Sequence, residues 1–354
     1  MLHFITLFDV NYLTRGIALY NSLIQHTRQG IKLYIVALDQ QVGDEINKIL
    51  ASDNIVLIDL LAIEKKYPEL LNVKLVRTKV EYYFTLSPYL PSYVLATYPD
   101  VNQITSLDSD IYFFSDPSQI FETYPEAEIL LTPHNFPSNL KYLEKYGRFN
   151  VSFQSFKRTI NVMNCLRKWR EDCIEFCNDT LDIANNRYAD QKYLDNWNAQ
   201  FENVVSIDLP GSGLAPWNIS NFNIQKSGND FLINNEPLIF FHFHHLRFIN
   251  RFQIAHGLEN YHALNVVLNK AVKSIYEKYI LSLKIHSKFQ SHNVERYMVK
   301  KSNSLYGIIF QASPYWLFLR PMMFHVSINN KIILFSFAIK NRVDKMISFF
   351  KAKF

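Results

Sequence analysis

The order in which hydrophobic periodicities alternate constrains this chain more than any other feature. Residues 3–8 read as a strand, and 11–27 as a helix with Leu13, Ile17, Leu19, Tyr20, Leu23 and Ile24 on its inner side. A strand at 32–38, a helix at 42–51 and a strand at 54–60 continue the alternation. Strands separated by helices cannot close as hairpins; they pair in parallel through right-handed crossovers, with helices covering both faces of the sheet. The expected fold class is therefore α/β, with a Rossmann-like, mostly parallel central sheet flanked by helices.

Downstream, 79–95 reads as helix interrupted at Pro88 and Pro91, because proline lacks the amide hydrogen a helix interior needs. A strand at 103–107 runs into Asp108-Ser109-Asp110. A helix follows with Pro117 at its first position, capped by Ser115 or Asp116. Segments 127–132 and 149–156 read as strands, 160–177 and 188–197 as helices, and 238–244 as a late apolar strand ending in histidines. From 260 to 284, Leu264, Leu268, Ala271, Ile275, Tyr279 and Leu283 recur at spacings of three and four, the pattern of an amphipathic helix. A boundary is expected near residue 258, separating a catalytic domain (1–258) from a helical, basic C-terminal extension (259–354).

With 354 residues, 48% of them hydrophobic and 19% charged, the chain can bury one large core or two smaller ones. The nine glycines are too few for a glycine-rich phosphate loop. The first residues lack a basic segment and a cleavage site, and no run of about 18 apolar residues exists to span a bilayer. Together with three cysteines without zinc spacing (Cys165, Cys173, Cys177), this points to a reduced, cytoplasmic protein.

The net charge of +5 is uneven: residues 291–354 hold ten Lys/Arg against Glu295 and Asp344, while the remainder holds 27 basic and 30 acidic residues. In that tail Ile339, Val343, Met346, Ile347 and Phe350 make one helical face, with Lys340, Arg342, Lys345 and Lys351 mostly outside it. Such a helix suits adsorption to an anionic membrane surface, which would place the protein peripherally on the inner face of the plasma membrane. Nucleic acid is not an expected partner, since no binding module is visible and the charge sits at one end.

Chemistry concentrates at Asp108 and Asp110. Carboxylates at i and i+2, where a buried strand leaves the carboxyl edge of a parallel sheet, converge on the ligand crevice. Two such groups repel each other unless a cation joins them, and Mg²⁺ or Mn²⁺ suits a site with few protein oxygens. His242 and His244 face one side of the late strand, and either could complete a carboxylate–imidazole metal site.

Taken in order, Leu107-Asp108-Ser109-Asp110, Phe149-Asn150-Val151-Ser152-Phe153, Tyr188-Ala189-Asp190-Gln191 and Phe241-His242-Phe243 resemble nucleotide-sugar glycosyltransferases of the GT-A fold. They are most similar to family 8 and related bacterial enzymes of surface-polysaccharide synthesis, over roughly residues 3–250. The resemblance implies Mn²⁺ or Mg²⁺ held by Asp108, Asp110 and His242 against the diphosphate of a nucleotide-sugar donor, with UDP the expected nucleotide. It implies donor contacts from Phe8, Asp9 and Tyr12 to the base and ribose, and from Arg77 or Lys79 to the phosphates. Asn150 and Asp190 would contact the transferred sugar, and Gln191 would stand near the anomeric carbon in a retaining transfer. The acceptor would be a saccharide or a lipid-linked saccharide. Two departures stand out: Val151 follows Asn150 where the family carries glycine, and the segment after His242 lacks the family's Gly, Pro and Trp. Arg247 is the substitute phosphate contact there, and Trp217, in a loop of small residues, offers a flat face for a sugar. A metal phosphatase would want Thr or Val two residues after the second aspartate, where this chain has Tyr112. A non-catalytic sugar-nucleotide-binding module draws its support from the irregular segment between His242 and Arg247.

Overall fold

The computed structural model describes residues 1–50, 52–250 and 253–287. Its centre is a sheet of β1 (Leu2–Phe8), β2 (Ile31–Ala37), β3 (Ile55–Asp59), β4 (Gln103–Leu107), β6 (Ile129–Pro133), β7 (Phe149–Lys157) and β8 (Val204–Ser206), with β5 (Ile111–Phe113) outside it. The strand order is β3-β2-β1-β4-β7-β6-β8. The first four run parallel, as the alternation of strand and helix requires. β7 lies antiparallel to both β4 and β6, and β8 returns parallel to β6, so the sheet is mixed but mostly parallel.

Period-two alternation sorts the strand side chains onto two faces. Phe4, Leu33, Ile35, Leu107 and Phe153 pack on one face with Leu13, Ile17 and Leu23 of α1 (Leu13–His26) and Val42 and Ile46 of α2 (Gln40–Ile49). Ile5, Tyr34, Val36, Ile104, Ile129 and Phe156 form the other core. There they meet α3 (Leu60–Lys66), α4 (Glu69–Lys74), α5 (Lys79–Leu86) and α6 (Tyr89–Thr97), and further on α7 (Ser118–Thr123) precedes α8 (Ile160–Glu175), whose Val162, Leu166 and Trp169 close this face. Aspartates at the strand ends start the helices: Asp39 accepts from the Val42 amide at 2.9 Å and Asp59 from the Leu61 amide at 2.9 Å.

The helix expected over 79–95 is two helices broken at Pro88; Pro91 falls in the first turn of α6, where no intrahelical bond is lost. The helix expected over 188–197 is a 3-10 turn at Gln191–Asn196 followed by α9 (Trp197–Gln200). The late strand shortens to β12 (Phe240–His242), which follows a small meander of β9 (Ile224–Ser227), β10 (Asp230–Ile233) and β11 (Glu236–Pro237) and pairs antiparallel with β5.

The chain divides into two compact units, Met1–His244 with Leu258–Val266, and His245–Gly257 with the chain from Val267 onward. The second unit contains the hairpin of β13 (Arg247–Asn250) and β14 (Gln253–Ala255) and helix α10 (Lys270–Ser287). α10 starts ten residues later than the apolar spacing suggests. Asn269 caps it by accepting from the Ala271 amide at 2.8 Å, and 3-10 turns occupy the residues before it. No helix among the described residues is long and apolar enough to cross a membrane. The amphipathic segment expected at 339–350, with the rest of the basic tail, lies outside the described residues.

Candidate active site

β1 and β4 are neighbours, with Ile5 paired to Ser106, so both chains leave the sheet at the same carboxyl edge, into Asp9 and Asp108. The strand order reverses here, with β2 on one side of β1 and β4 on the other, and ligand crevices of open α/β sheets form at such points. The Asp108 amide donates to the Ser152 carbonyl at 2.9 Å, and the Ile111 amide returns to the Asp108 carbonyl at 3.2 Å, closing the Asp108-Ser109-Asp110 turn. β5 then pairs with β12 in a register that sets His242 opposite Ile111. The His242 amide donates to the Leu214 carbonyl at 2.8 Å and the Phe243 amide to the Asp110 carbonyl at 3.0 Å. His242, 132 positions beyond Asp110, thereby reaches it with Nε2 at 3.0 Å from Asp110 Oδ1 and 3.7 Å from Asp108 Oδ2.

One ligand atom from each of Asp108, Asp110 and His242 lies within 4.8 Å of the others. Two carboxylate oxygens and one imidazole nitrogen are a donor set a divalent cation accepts, and the residues fit that role. Their charges are linked. Burial favours a neutral Asp110, but His242 outweighs it and holds this carboxyl well below the usual range. Burial likewise disfavours a charged His242, yet the two aspartates raise its basicity. Asp108 is raised by desolvation and by Asp110, against His242. One compact cluster thus carries strained protonation equilibria that a cation would relieve.

Asp9 accepts from the Asn11 amide at 3.0 Å and from Lys79 Nζ at 2.8 Å, and this ion pair raises the basicity of Lys79. Tyr12 is half-buried, with the Arg15 guanidinium 4.4 Å from its ring centroid. Arg15 is only 3% exposed, and its charge helps hold the Asp110 carboxyl ionised. Its signal in the sequence is a charged residue between Leu13 and Ile17, on the inner side of a helix. His134, which no sequence motif marks, is buried, and desolvation pushes it down to about 3, so it stays neutral.

Several expected donor contacts are placed differently. Phe8 is a core residue, 2% exposed; a Cβ on Gly16 would lie 2.3 Å from its ring, so the ring is not offered to a base. Arg77 binds the Thr85 hydroxyl and the Ile174 carbonyl at 2.7 Å, tying α5 to the end of α8. Asn150 spends its amide inside the sheet, donating to the Thr132 carbonyl at 3.2 Å and accepting from the Ser152 amide at 3.1 Å. Asp190 is 1% exposed and accepts from the Ser87 hydroxyl; burial, with Asp108 adding, pushes its carboxyl up to about 7. Ala189 before it adopts φ 44°, a conformation costly for a residue with a Cβ and kept only where the surroundings enforce it. Gln191 is half-buried, its amide nitrogen donating to the Tyr146 carbonyl at 3.0 Å. Trp217 is buried behind His242 rather than presented to a sugar. His244 stands 5.3 Å from His242, ring to ring, outside the three-residue cluster. Arg247 is exposed on β13 in the second unit.

The family model described as glycosyl transferase family 8 matches residues 3–207, from β1 through β8. The chain belongs to glycosyl transferase family 8. Its fold is GT-A and its activity is glycosyl transfer. Among its relatives, the uncharacterized protein YfnD of Bacillus subtilis (strain 168) is 31% identical over 283 residues, covering 80% of this chain and 88% of YfnD. The uncharacterized protein YfnF of the same organism is 31% identical over 253 residues, covering 69% and 82%. Among solved structures, the galactosyltransferase LgtC in complex with donor and acceptor sugar analogs is similar at 14% identity and a TM-score of 0.47, covering 80% of this chain and 96% of LgtC. Mouse xyloside xylosyltransferase 1, in its apo form, is similar at 13% identity and a TM-score of 0.43, covering 60% and 87%.

Proposed function

We propose that this family 8 enzyme takes a sugar from a UDP-type nucleotide diphosphate donor and passes it, with retention, to a saccharide or lipid-linked saccharide acceptor in cell-surface polysaccharide synthesis. The observation that carries the metal-dependent reading is the meeting of Asp108, Asp110 and His242 at the carboxyl edge of the sheet. Asp108, Asp110 and His242 would hold Mn²⁺ or Mg²⁺, which would supply positive charge against the departing diphosphate.

Asp9 and Tyr12, beside the same edge, receive the ribose and base. Lys79, whose side chain is 64% exposed, exchanges its contact with Asp9 for donor phosphate. Gln191 is the group set near the anomeric carbon. With its amide nitrogen held by Tyr146, its carbonyl oxygen is the end that supports an oxocarbenium-like charge. Asp190 acts from beneath, fixing the segment that carries Gln191. Residues 1–258 would form the catalytic domain and 259–354 a basic extension that holds the enzyme on the cytoplasmic, anionic face of a membrane.

Incubating the full chain with Mn²⁺ and a panel of UDP-sugars tests this. Metal-dependent release of UDP is the expected result. Release of inorganic phosphate instead of UDP would point to a phosphatase, and donor binding without turnover to a sugar-nucleotide-binding protein.

A further inference from the structure

We propose that Trp217 is a positioning residue for the metal ligand His242, holding the imidazole by ring contact where a hydrogen bond on its second nitrogen would ordinarily do so. The inference rests on the metal site proposed above. Metal-bound histidines usually donate their other ring N–H to a carboxylate, carbonyl or water, which fixes ring orientation. His242 Nδ1 is buried and has no such partner among the described residues.

What the ring does have is Trp217. The two ring centroids are 5.3 Å apart and the planes cross at 87°, the edge-to-face geometry aromatic pairs favour. The indole makes edge contacts with His134 at 5.2 Å, His244 at 5.3 Å and Tyr261 at 5.8 Å, so it stands at the hub of a ring cluster. Its own Nε1 is also buried without a partner among the described residues, and packing is the indole's contribution at this place.

The loop presenting Trp217 is fixed from below. Asn218, 1% exposed, accepts from the Ala215 amide at 2.9 Å and donates to the Gly213 carbonyl at 2.9 Å and the His134 carbonyl at 3.1 Å. Gly213 adopts φ +77°, and a Cβ there would lie 2.6 Å from the Thr132 side chain, so the approach of this loop to β6 depends on glycine. A ligand held by packed neighbours loses little freedom when it binds, and loosening such support typically costs about 10–100-fold in metal affinity.

The test is Mn²⁺ binding to the full chain, read from the free-ion electron paramagnetic resonance signal, with no donor present. Trp217→Leu, which fills space without a ring, is expected to weaken Mn²⁺ about tenfold. Trp217→Phe, which keeps a ring edge, is expected to stay within about threefold of wild type and so to rescue most of the loss. Wild-type affinity in a folded Trp217→Leu overturns the role of Trp217 while leaving the metal site standing; no Mn²⁺ binding by the wild type overturns both. If Trp217→Leu does not fold, Asn218→Ser releases the loop with the indole intact. It should weaken Mn²⁺ in the same direction, and an unchanged affinity overturns the proposal.

Discussion

Along β3-β2-β1-β4 the strands run parallel and leave the sheet together at one rim, where Asp59, Asp39, Asp9 and Asp108 follow one another across the edge. Along β7-β6-β8 the directions are mixed, and the polar residues near that rim turn inward. Asn150 is 4% exposed and bonded within the sheet, and Asp190 is 1% exposed beneath Ser87. Parallel strands that end together hand their last side chains to loops and solvent. An antiparallel strand begins at that rim and runs back under cover, so its first polar groups must find partners in the protein. The parallel half should therefore govern ligands, and the mixed half should govern the stability of the frame that holds them.

Asp110→Ala gives the largest expected effect: loss of metal-dependent transfer by about a thousandfold or more, with a fold that unfolds cooperatively. Donor-induced thermal stabilisation in Mn²⁺ should vanish with it; a stabilisation equal to wild type would remove Asp110 from the site. Next is pH. His242 and Asp108 both have raised affinity for protons, and a proton must leave before either can ligate. Mn²⁺ affinity should thus fall as pH drops from 7.5 to 5.5, by up to about tenfold per pH unit for each proton displaced. A flat Mn²⁺ titration across that range would break the link between the cluster and the cation.

In the mixed half, Asn150→Ala should cost about 1–3 kcal/mol of stability by leaving buried carbonyl and amide groups unpaired. Its donor affinity, measured below the unfolding transition, should change little; a larger effect on donor than on stability would return Asn150 to the donor contacts. Smallest is the pH dependence set by Asp190. Its folded carboxyl titrates near 7, above the unfolded value of about 3.9, so the folded state holds the proton longer. The stability this contributes is complete below the unfolded value and is lost as pH rises towards 7. The unfolding free energy read from urea titrations should therefore decline between pH 5 and 7, on the order of 1 kcal/mol per pH unit, and Asp190→Asn should flatten that slope. An equal slope in both proteins would mean that another group sets it.

The alternation of periods was enough to place β1 through β4, α1 and α2, and the Asp108-Ser109-Asp110 turn at a carboxyl edge, because each depends on neighbours within a few turns of chain. The pairing of Asp108 and Asp110 with His242 was legible as residue types. Its geometry was not, since it needs β12 to align with β5 across more than a hundred residues. Arg77, Asn150 and Trp217 show the same limit from the other side. Each has a side chain suited to a donor, and each is occupied by a partner far along the chain: the Ile174 carbonyl, the Thr132 carbonyl and the rings of His134 and His242. Local spacing decides which way a side chain leaves its strand or helix. Whether it then meets solvent, a ligand or another part of the protein is settled only by long-range packing, which encloses some polar groups and leaves the Asp108–Asp110–His242 cluster at the rim.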